Sequence, residues 1–337
     1  MNVRVVPCAA LTADELARWG ELQRARPVYR SPFFRPEFAL AAARVRDVRV
    51  AVIEGAGFWA FEAGRRRHGR PVAWPFSDYH GPVVGSAVDP RALVRACGLA
   101  TWSFDHVPAG LDGFAPYLSG EGRSPCLDVS GGFDAYLAGR RGRSDIRGAL
   151  RKARKLGREV GPLRLVADSD DRELLTRTVE WKRRQYAETG VRDVLADAGA
   201  RDLLGHAHAA RSREFAGVLS VLYAGDVVAG LHLGLRSGPV WHSWFPAYNP
   251  ELDRYSPGLV LMLELAAAAP ELGIAEIDLG KGEARYKQAL ATGVVAVYEG
   301  VVGAGRLSAV PVRASAGARR ALRAVGVHRV VRRALRR

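Results

Sequence analysis

The chain has 337 residues, of which 48% are hydrophobic and 25% are charged, and it carries a formal net charge of +15. This composition excludes a wholly disordered chain, and the lack of a Gly-X-Y repeat or a sustained heptad excludes collagen-like and coiled-coil architectures. At about 150 residues per domain, the length indicates two domains or one large one.

The positive charge is concentrated in two segments. Residues 140–158 hold nine Lys or Arg and one Asp, residues 313–337 hold nine Arg and no acid, and the remainder is nearly neutral. The net charge therefore does not indicate a surface that coats nucleic acid generally. Almost all of the basic residues are Arg, and the five lysines are Lys152, Lys155, Lys182, Lys281 and Lys287.

The cysteines and the apolar segments bear on the cellular compartment. Three widely spaced cysteines form neither a disulfide framework nor a zinc ligand set. The N-terminus lacks the long apolar core of a signal peptide, and the most apolar stretch, residues 258–269, contains Glu264 and is too short to span a bilayer. We therefore expect a cytoplasmic protein.

Short helices and strands alternate through the first 130 residues. Thr12 or Asp14 is placed to cap a helix that runs through Trp19 and Leu22. Further helices are predicted at residues 32–44, opening at Pro36, and 90–99, and strands at 48–54, 57–63, 71–76 and 101–107.

A basic amphipathic helix is predicted next, at residues 144–157. One face is cationic, and the other carries apolar residues at helical spacing: Ile146, Ala149, Leu150, Ala153 and Leu156. The pattern fits a helix that binds phosphates and, equally, a solvated linker between two halves.

The second half predicts an α+β domain with a largely antiparallel sheet, because three consecutive strands leave no room for crossover helices. Its elements are a strand at 163–167, helices at 170–188 and 197–213, strands at 215–223, 227–236 and 240–245, a helix at 258–271, a strand at 275–279, a helix at 283–290, a strand at 294–302 and a basic terminal helix. We predict four segments: 1–140, a linker helix at 141–160, 161–310 and a basic helix at 311–337.

The densest group of polar residues follows the strand at 275–279. Asp278, Glu283 and Tyr286 are candidates for acid–base chemistry, and Lys281 and Lys287 for holding a phosphate or a carboxylate. The glycine spacing matches neither a P-loop nor a dinucleotide-binding fingerprint.

A second group precedes the apolar helix at 258–271. Ser256 suits a helix cap, and Gly258 leaves room for a ligand at the helix N-terminus, where main-chain N–H groups bind phosphate. Arg254 adds a positive charge. A well-capped helix with no ligand explains the same residues.

The histidines do not predict a metal site. If Ser237 and Gly238 form the turn between two strands, His232 pairs with Ser243, and His232 and His242 point to opposite faces of the sheet. Two further histidines, at 206 and 208, have the wrong helical spacing for a shared ion.

Several motifs, in this order along the chain, resemble the CelD-like acyltransferases of the GNAT superfamily, a family associated with bacterial polysaccharide biosynthesis. They are Ser77-Asp78-Tyr79-His80-Gly81-Pro82, the arginine-rich helix, Phe245-Pro-Ala-Tyr248-Asn-Pro, Tyr255-Ser-Pro-Gly258, and Ile277-Asp-Leu-Gly280-x-Gly282-Glu-x-x-Tyr286-Lys287. The chain is similar, more distantly, to the Fem-type peptidoglycan aminoacyltransferases.

The resemblance implies tandem GNAT-like halves, each a mostly antiparallel mixed sheet flanked by helices, and transfer of an acyl group, typically acetyl, from acyl-CoA to an amine or hydroxyl of a cell-envelope or polysaccharide-related acceptor. It implies catalytic roles for Asp278 or Glu283 as base and Tyr286 as acid. Donor contacts are expected from Arg254, Ser256, Gly258, Lys281 and Lys287, and acceptor contacts from Asp78, His80, Trp241, His242 and Tyr248. Pro257 and Leu259 depart from the usual GNAT phosphate loop.

Two alternatives to an acyl-CoA enzyme stay open. An aminoacyl-tRNA-dependent transferase would use the basic segments to hold tRNA phosphates. A catalytically inactive GNAT-like module would bind the inner membrane surface through residues 319–337, which mix apolar and cationic side chains.

Overall fold

The computed structural model describes residues 1–140, 143–282 and 284–305. The helices are α1 (Ala13–Ala25), α2 (Pro36–Ala43), α3 (Pro90–Ala96), α4 (Gly132–Ala138), α5 (Ser144–Glu159), α6 (Arg172–Thr189), α7 (Ala198–Ala209), α8 (Pro257–Ala268) and α9 (Arg285–Leu290). The strands are β1 (Val3–Pro7), β2 (Val48–Ile53), β3 (Gly57–Ala63), β4 (His68–Arg70), β5 (Val83–Val84), β6 (Thr101–Pro108), β7 (Leu118–Asp128), β8 (Leu163–Val166), β9 (Phe215–Ala224), β10 (Val227–Ser237), β11 (Val240–Tyr248), β12 (Glu276–Asp278) and β13 (Gly293–Gly303). Short 3-10 helices join several of these elements. The basic helix predicted at 311–337, and with it the predicted membrane contact, lies outside the described residues.

The described strands form one mixed sheet. Its order is β1-β2-β3-β4-β6-β13-β7-β12-β11-β10-β9-β8, with β5 paired to β3. Neighbouring strands in this described part of the chain are antiparallel except β4 with β6 and β11 with β12. The predicted α+β class is confirmed: a mostly antiparallel sheet is flanked by helices.

The two halves interlock through strands and through a shared core. The late strand β13 lies between β6 and β7, and β7 pairs in turn with β12 of the second half. Phe33 and Phe38 of the first half belong to the same hydrophobic cluster as Leu203, Leu233 and Phe245 of the second. The sheet and the hydrophobic core thus continue across the predicted linker at residues 141–160. The domain limits themselves stay predictions.

Local sequence signals explain the helices that frame the site. Thr12 and Glu15 form a reciprocal capping box at the start of α1. The predicted apolar face of α5 is confirmed, since Ile146, Ala149, Ala153 and Leu156 are buried. The helix continues past residue 157 to Glu159. In contrast, α8 is apolar around most of its circumference and is buried against α5, β10 and β11.

Several strand predictions fail, all of them in the first half, where the short strands β4 and β5 were also not predicted. Residues 71–76 form turns instead of a strand, because Pro71 and Pro75 have no N–H for a ladder and the Ala73 N–H bonds to the Glu62 carboxylate at 2.7 Å. The strands β1 and β7 were not predicted. In β7 the segment from Leu118 to Ser124 is largely polar and glycine-rich, so it lacks the apolar signal of a strand.

The predicted register between β10 and β11 is also wrong. Ser237 pairs with Val240 and His242 with Leu235, so the turn lies one residue later than predicted. A register shift between Leu233 and Gly234 then moves His232 opposite Pro246. The two histidines nevertheless lie on opposite faces of the sheet, because the positions 232 and 235 on β10 differ by an odd number.

Within the parts of the chain that the structure describes, every helix falls short of the length and hydropathy needed for a membrane crossing.

Candidate active site

Asp278 anchors a polar cluster where β11 and β12 run parallel. His242 of β11 and Asp278 of β12 are register partners, and both side chains are buried. The Asp278 carboxylate accepts hydrogen bonds from the Gly280 N–H at 2.7 Å, from the Ser124 hydroxyl at 3.0 Å and from the Tyr79 hydroxyl. With its oxygens engaged in this way, Asp278 fixes the loop that follows β12 more than it offers a free base.

Asp78, on the loop before β5, lies at the centre of the cluster. Its Oδ2 is 3.1 Å from His242 Nε2, and its Oδ1 is 3.4 Å from His106 Nε2. Burial alone would raise the pKa of Asp78, but His106, His242 and Lys287 outweigh that effect and hold the pKa well below its usual range. The side chain keeps 24% of its surface exposed. Asp78 is therefore an ionised carboxylate that is partly open to solvent.

A close approach of main chain to this carboxylate explains one glycine. Gly280 has a φ of +72°, and a Cβ placed there would lie 2.5 Å from Asp78 Oδ2 and 3.5 Å from the His242 ring. Only glycine fits both the backbone and the space.

The five lysines of the chain lie either near this polar cluster or near the start of α8. Lys281 donates to the main-chain oxygen of Asp105, and Lys287 donates to those of Gly280 and Lys281. Lys182 donates to the Pro246 oxygen at 3.0 Å. Burial, reinforced by the charge of Lys287, lowers the pKa of Lys182 to about 8. The other two, Lys152 and Lys155, project from α5 toward the start of α8.

A cavity of about 310 Å³ opens beside these lysines. The residues lining it include Lys182, Tyr248, Ser256, Gly258, Met262 and Tyr286. Four of them, Tyr248, Ser256, Gly258 and Tyr286, were named from the sequence. Burial and the charge of Asp78 raise the pKa of Tyr286 to about 12, so its hydroxyl keeps its proton at neutral pH. This cavity, hereafter the donor cavity, is thus electrostatically coupled to Asp78.

The N-terminus of α8 forms one wall of the donor cavity. Pro257 supplies no N–H, and the Leu259 N–H is bonded to the Ser256 oxygen at 3.0 Å, so fewer amides face a ligand than at an ordinary helix start. Lys152 supplies a positive charge in place of the missing amides, since its Nζ lies 2.7 Å from Ser256 Oγ. Arg254 instead stacks on the Tyr255 ring, 4.8 Å from its centroid.

The remaining predicted residues are separated from the donor cavity. Trp241 does not line the cavity and is instead buried in the core beneath α8, against the His232 ring. His80 is buried with its Nε2 2.8 Å from Asp105 Oδ1. Glu283 lies outside the described residues, and its assignment as base stays a prediction.

The sequence analysis missed Tyr79, Asp105, His106, Ser124 and Lys182. Four of these come from the first half. Tyr79, Asp105 and Ser124 meet partners in the second half that are more than 150 residues away along the chain, so spacing carries no signal for them. Lys182 did have a signal, since it is one of five lysines among 50 basic residues.

Comparison with known proteins gives a consistent fold. Residues 141–288 match the family model described as an acetyltransferase (GNAT) domain. No curated protein sequence matches the chain significantly.

Among solved structures, the chain is similar to the C-terminal DUF2156 domain of a putative lysylphosphatidylglycerol synthetase from Agrobacterium fabrum (12% identity, TM-score 0.58, 90% of this chain and 96% of that one). It is also similar to FemX (11%, 0.58, 89% and 96%) and to L-PGS from Bacillus licheniformis (9%, 0.56, 88% and 93%). At these identities the likeness concerns the fold alone. The chain therefore shares the fold of these structures, and residues 141–288 match a GNAT-type acetyltransferase domain.

Proposed function

We propose that the protein transfers an acyl group, typically acetyl, from acyl-CoA to an amine or hydroxyl of a cell-envelope or polysaccharide-related acceptor. The observation that carries the proposal is the coupling of an ionised, partly exposed Asp78 to the donor cavity through Tyr286 and Lys287. The acceptor class rests on the resemblance to the CelD-like and Fem-type families.

The donor enters at the start of α8. Lys152 and the Gly258 N–H face the phosphates, and the acyl chain follows the apolar wall that Leu259 and Met262 provide toward Lys182. Binding of the phosphates by a lysine in place of several main-chain amides is consistent with Pro257, which departs from the usual GNAT phosphate loop.

The chemistry needs a base, an acid and an oxyanion donor. Asp78, whose lowered pKa makes it a weak base, orients the attacking nucleophile and stabilises the positive charge that forms on it, with His242 orienting the carboxylate. Lys182 returns a proton to the leaving thiolate, whose ordinary pKa of about 8.5 matches the lowered pKa of this lysine. The Tyr286 hydroxyl donates to the carbonyl oxygen as it gains charge. Asp278 positions Tyr79 and the main chain of the loop, and Glu283 stays a candidate for the base.

The acceptor approaches from the other side of the cluster. A second cavity of about 220 Å³ is lined by Asp278 and Tyr79 together with Arg30 and Ser31. Arg30 is paired with Glu276 at 2.9 Å, so the wall offers both charges to a polar acceptor.

A second candidate function is aminoacyl transfer from tRNA. The observation that favours it is the exposed cationic face of α5, which adjoins the donor cavity through Lys152: Arg147, Arg151, Arg154, Lys155 and Arg158. A phosphate backbone held there would place an aminoacyl end near the start of α8.

Calorimetry with acetyl-CoA at low and at moderate salt, beside the same titration with aminoacylated tRNA, separates the two functions. We expect acetyl-CoA to bind at both salt concentrations and Gly258→Leu to abolish binding, because a Cβ at 258 already lies 3.2 Å from Tyr248. The control is Gly205→Leu on α7, where a Cβ meets nothing within 4 Å. Acetyl-CoA that fails to bind, with tRNA binding lost in an Arg147, Arg151 and Arg154 charge-reversal variant, would establish the tRNA donor instead.

A further inference from the structure

We propose that His80, Asp105 and His106 form a binding site for one divalent transition-metal ion of the zinc class. The site lies in the first half, where the loop before β5 meets β6, and it is separate from the donor cavity. The sequence analysis did not predict it, because His80 and Asp105 are 25 residues apart and match no metal-ligand spacing.

The geometry of three ligand atoms supports the site. Asp105 Oδ1 faces both imidazoles, at 2.8 Å from His80 Nε2 and 3.2 Å from His106 Nδ1, and the three atoms lie within 4.8 Å of one another. Tetrahedral zinc with bonds of roughly 2.0–2.1 Å separates its ligand atoms by about 3.3 Å. Asp105 Oδ1 therefore lies within about half an ångström of that separation from each of the two imidazole nitrogens.

The state of His106 is the second, independent observation. Its side chain is only 8% exposed, yet neither ring nitrogen makes an aligned hydrogen bond within the described residues. A buried imidazole whose nitrogens make no aligned hydrogen bond is costly. An ion at Nδ1 satisfies one nitrogen, and the other, Nε2, then faces Asp78 Oδ1 at 3.4 Å. A carboxylate behind a ligating histidine is the usual outer support of such a ligand.

The neighbours of Asp105 leave its Oδ1 available as the third ligand, and they leave one coordination position of the ion open. The Lys281 ammonium bonds to the main-chain oxygen of Asp105. The exposed Trp74 ring donates to Asp105 Oδ2 at 3.3 Å, so Oδ1 stays directed at the imidazoles. Asp105 retains 35% of its side-chain surface, so water reaches a fourth position. Two nitrogen ligands and one oxygen ligand favour zinc or its neighbours over calcium or magnesium.

A bound ion would also fix the position of the Asp78 carboxylate. An ion that fixes His106 also fixes the carboxylate that faces it, and Asp78 Oδ2 in turn contacts His242. The site would thereby position the ionised carboxylate of the cluster without touching a substrate.

The test is metal binding by the full chain, first stripped with a chelator and then titrated with Zn²⁺ and with Co²⁺. We expect one equivalent to bind with a dissociation constant of about 1 µM or tighter, and Co²⁺ to give the visible absorption of a tetrahedral site. His106→Ala and the half-exposed Asp105→Asn should each abolish binding. Asp78→Asn, which keeps all three ligands, should weaken it by about 10- to 100-fold.

His206→Ala on α7 is the matched control and should bind the ion like the parent chain. Circular dichroism reports whether each variant is folded. Parent protein that binds less than one equivalent at 100 µM Zn²⁺ (roughly a hundred times the expected constant) would overturn the proposal, as would binding that survives in both His106→Ala and Asp105→Asn. Because these readouts do not involve acyl transfer, they stand whether or not the proposed function holds.

Discussion

Asp78 Oδ2 lies 3.1 Å from His242 Nε2, and this contact joins the two halves of the chain at the candidate active site. Asp78 comes from a loop of the first half, whereas His242 lies on β11 of the second. Phe33 of the first half packs edge-on against the same imidazole, with ring centroids 4.8 Å apart. The site therefore requires both halves, although the GNAT family model matches only residues 141–288.

Replacing the Asp78 carboxylate tests its role in orienting the nucleophile and stabilising the charge that forms on it. Asp78→Asn keeps the shape but removes the charge, so we expect the acyl-transfer rate to fall by about 10²- to 10⁴-fold. Donor binding should change little, because the donor cavity does not include Asp78. Steady-state kinetics and calorimetry measure the two quantities. Asp47→Asn, at an exposed carboxylate paired with Arg49, is the control. A rate within threefold of the parent's would contradict the assignment.

Gly280→Ala probes the space beside Asp78. The new methyl group would lie 2.5 Å from Asp78 Oδ2, so the carboxylate must shift and activity should be lost. Part of any effect comes from the positive φ, which costs roughly 1–2 kcal/mol for a residue with a Cβ. Gly190→Ala at the end of α6 isolates that part, since its φ is +67° and a Cβ there meets nothing within 4 Å. We expect similar losses of stability in denaturant unfolding and a loss of activity in the Gly280 variant alone; equal activities would refute the steric argument.

Buried His232 makes the fold sensitive to acid. Burial, with the charges of His242 and Lys182, lowers the pKa of His232 from its ordinary 6.5 to about 3. Above pH 6.5 the residue is neutral in both states and has no effect. Below it, the unfolded chain takes up a proton that the folded chain refuses, so the free energy of unfolding falls by about 1.4 kcal/mol per pH unit until the pH approaches 3.

Urea unfolding across that pH range measures this contribution. His232→Gln should reduce the fall in the free energy of unfolding below pH 6.5 relative to the parent chain. His206→Gln on α7 should leave that fall unchanged. Curves for the parent and for His232→Gln that run parallel from pH 7 to pH 4 would show that His232 does not carry the effect. Other buried groups, such as His80, whose pKa is also lowered chiefly by burial, contribute to both curves alike.

The sequence predicted the local elements of the second half better than the pairing between halves. The strands β9 to β11 and the helix α8 carry strong apolar patterns, and their order alone indicates an α+β sheet. The position of β7 between β12 and β13 depends on contacts across nearly 150 residues or more, and no local pattern encodes them.

The same distinction applies to the site. Asp278 at the end of β12 and Tyr286 and Lys287 in α9 were found together because they are near in sequence. The partners Tyr79, His106 and Ser124 come from other segments, and only the fold brings them to Asp78 and Asp278. The later turn and the β-bulge in β11 likewise have no sequence signal of their own, and together they explain why the predicted register was wrong.

Lys182 should give the reaction an alkaline limit. Its pKa of about 8 arises from burial and from the nearby Lys287, so the ammonium is lost as the pH rises through 8. If this ammonium protonates the leaving thiolate, kcat falls above pH 8. Lys182→Arg keeps a charge that does not titrate below pH 12, so the alkaline limb should disappear while the rate at neutral pH drops.

Lys182→Met completes the test of this lysine, because it removes both the proton and the charge. We expect a loss of about 10²-fold or more in kcat at pH 7 and no titration near pH 8. Arg184→Met on the same helix, at an exposed residue paired with Glu188, is the matched control and should keep the parental profile. An alkaline limb near pH 8 that persists in Lys182→Arg and in Lys182→Met would show that another group carries this ionisation and that Lys182 is not the acid.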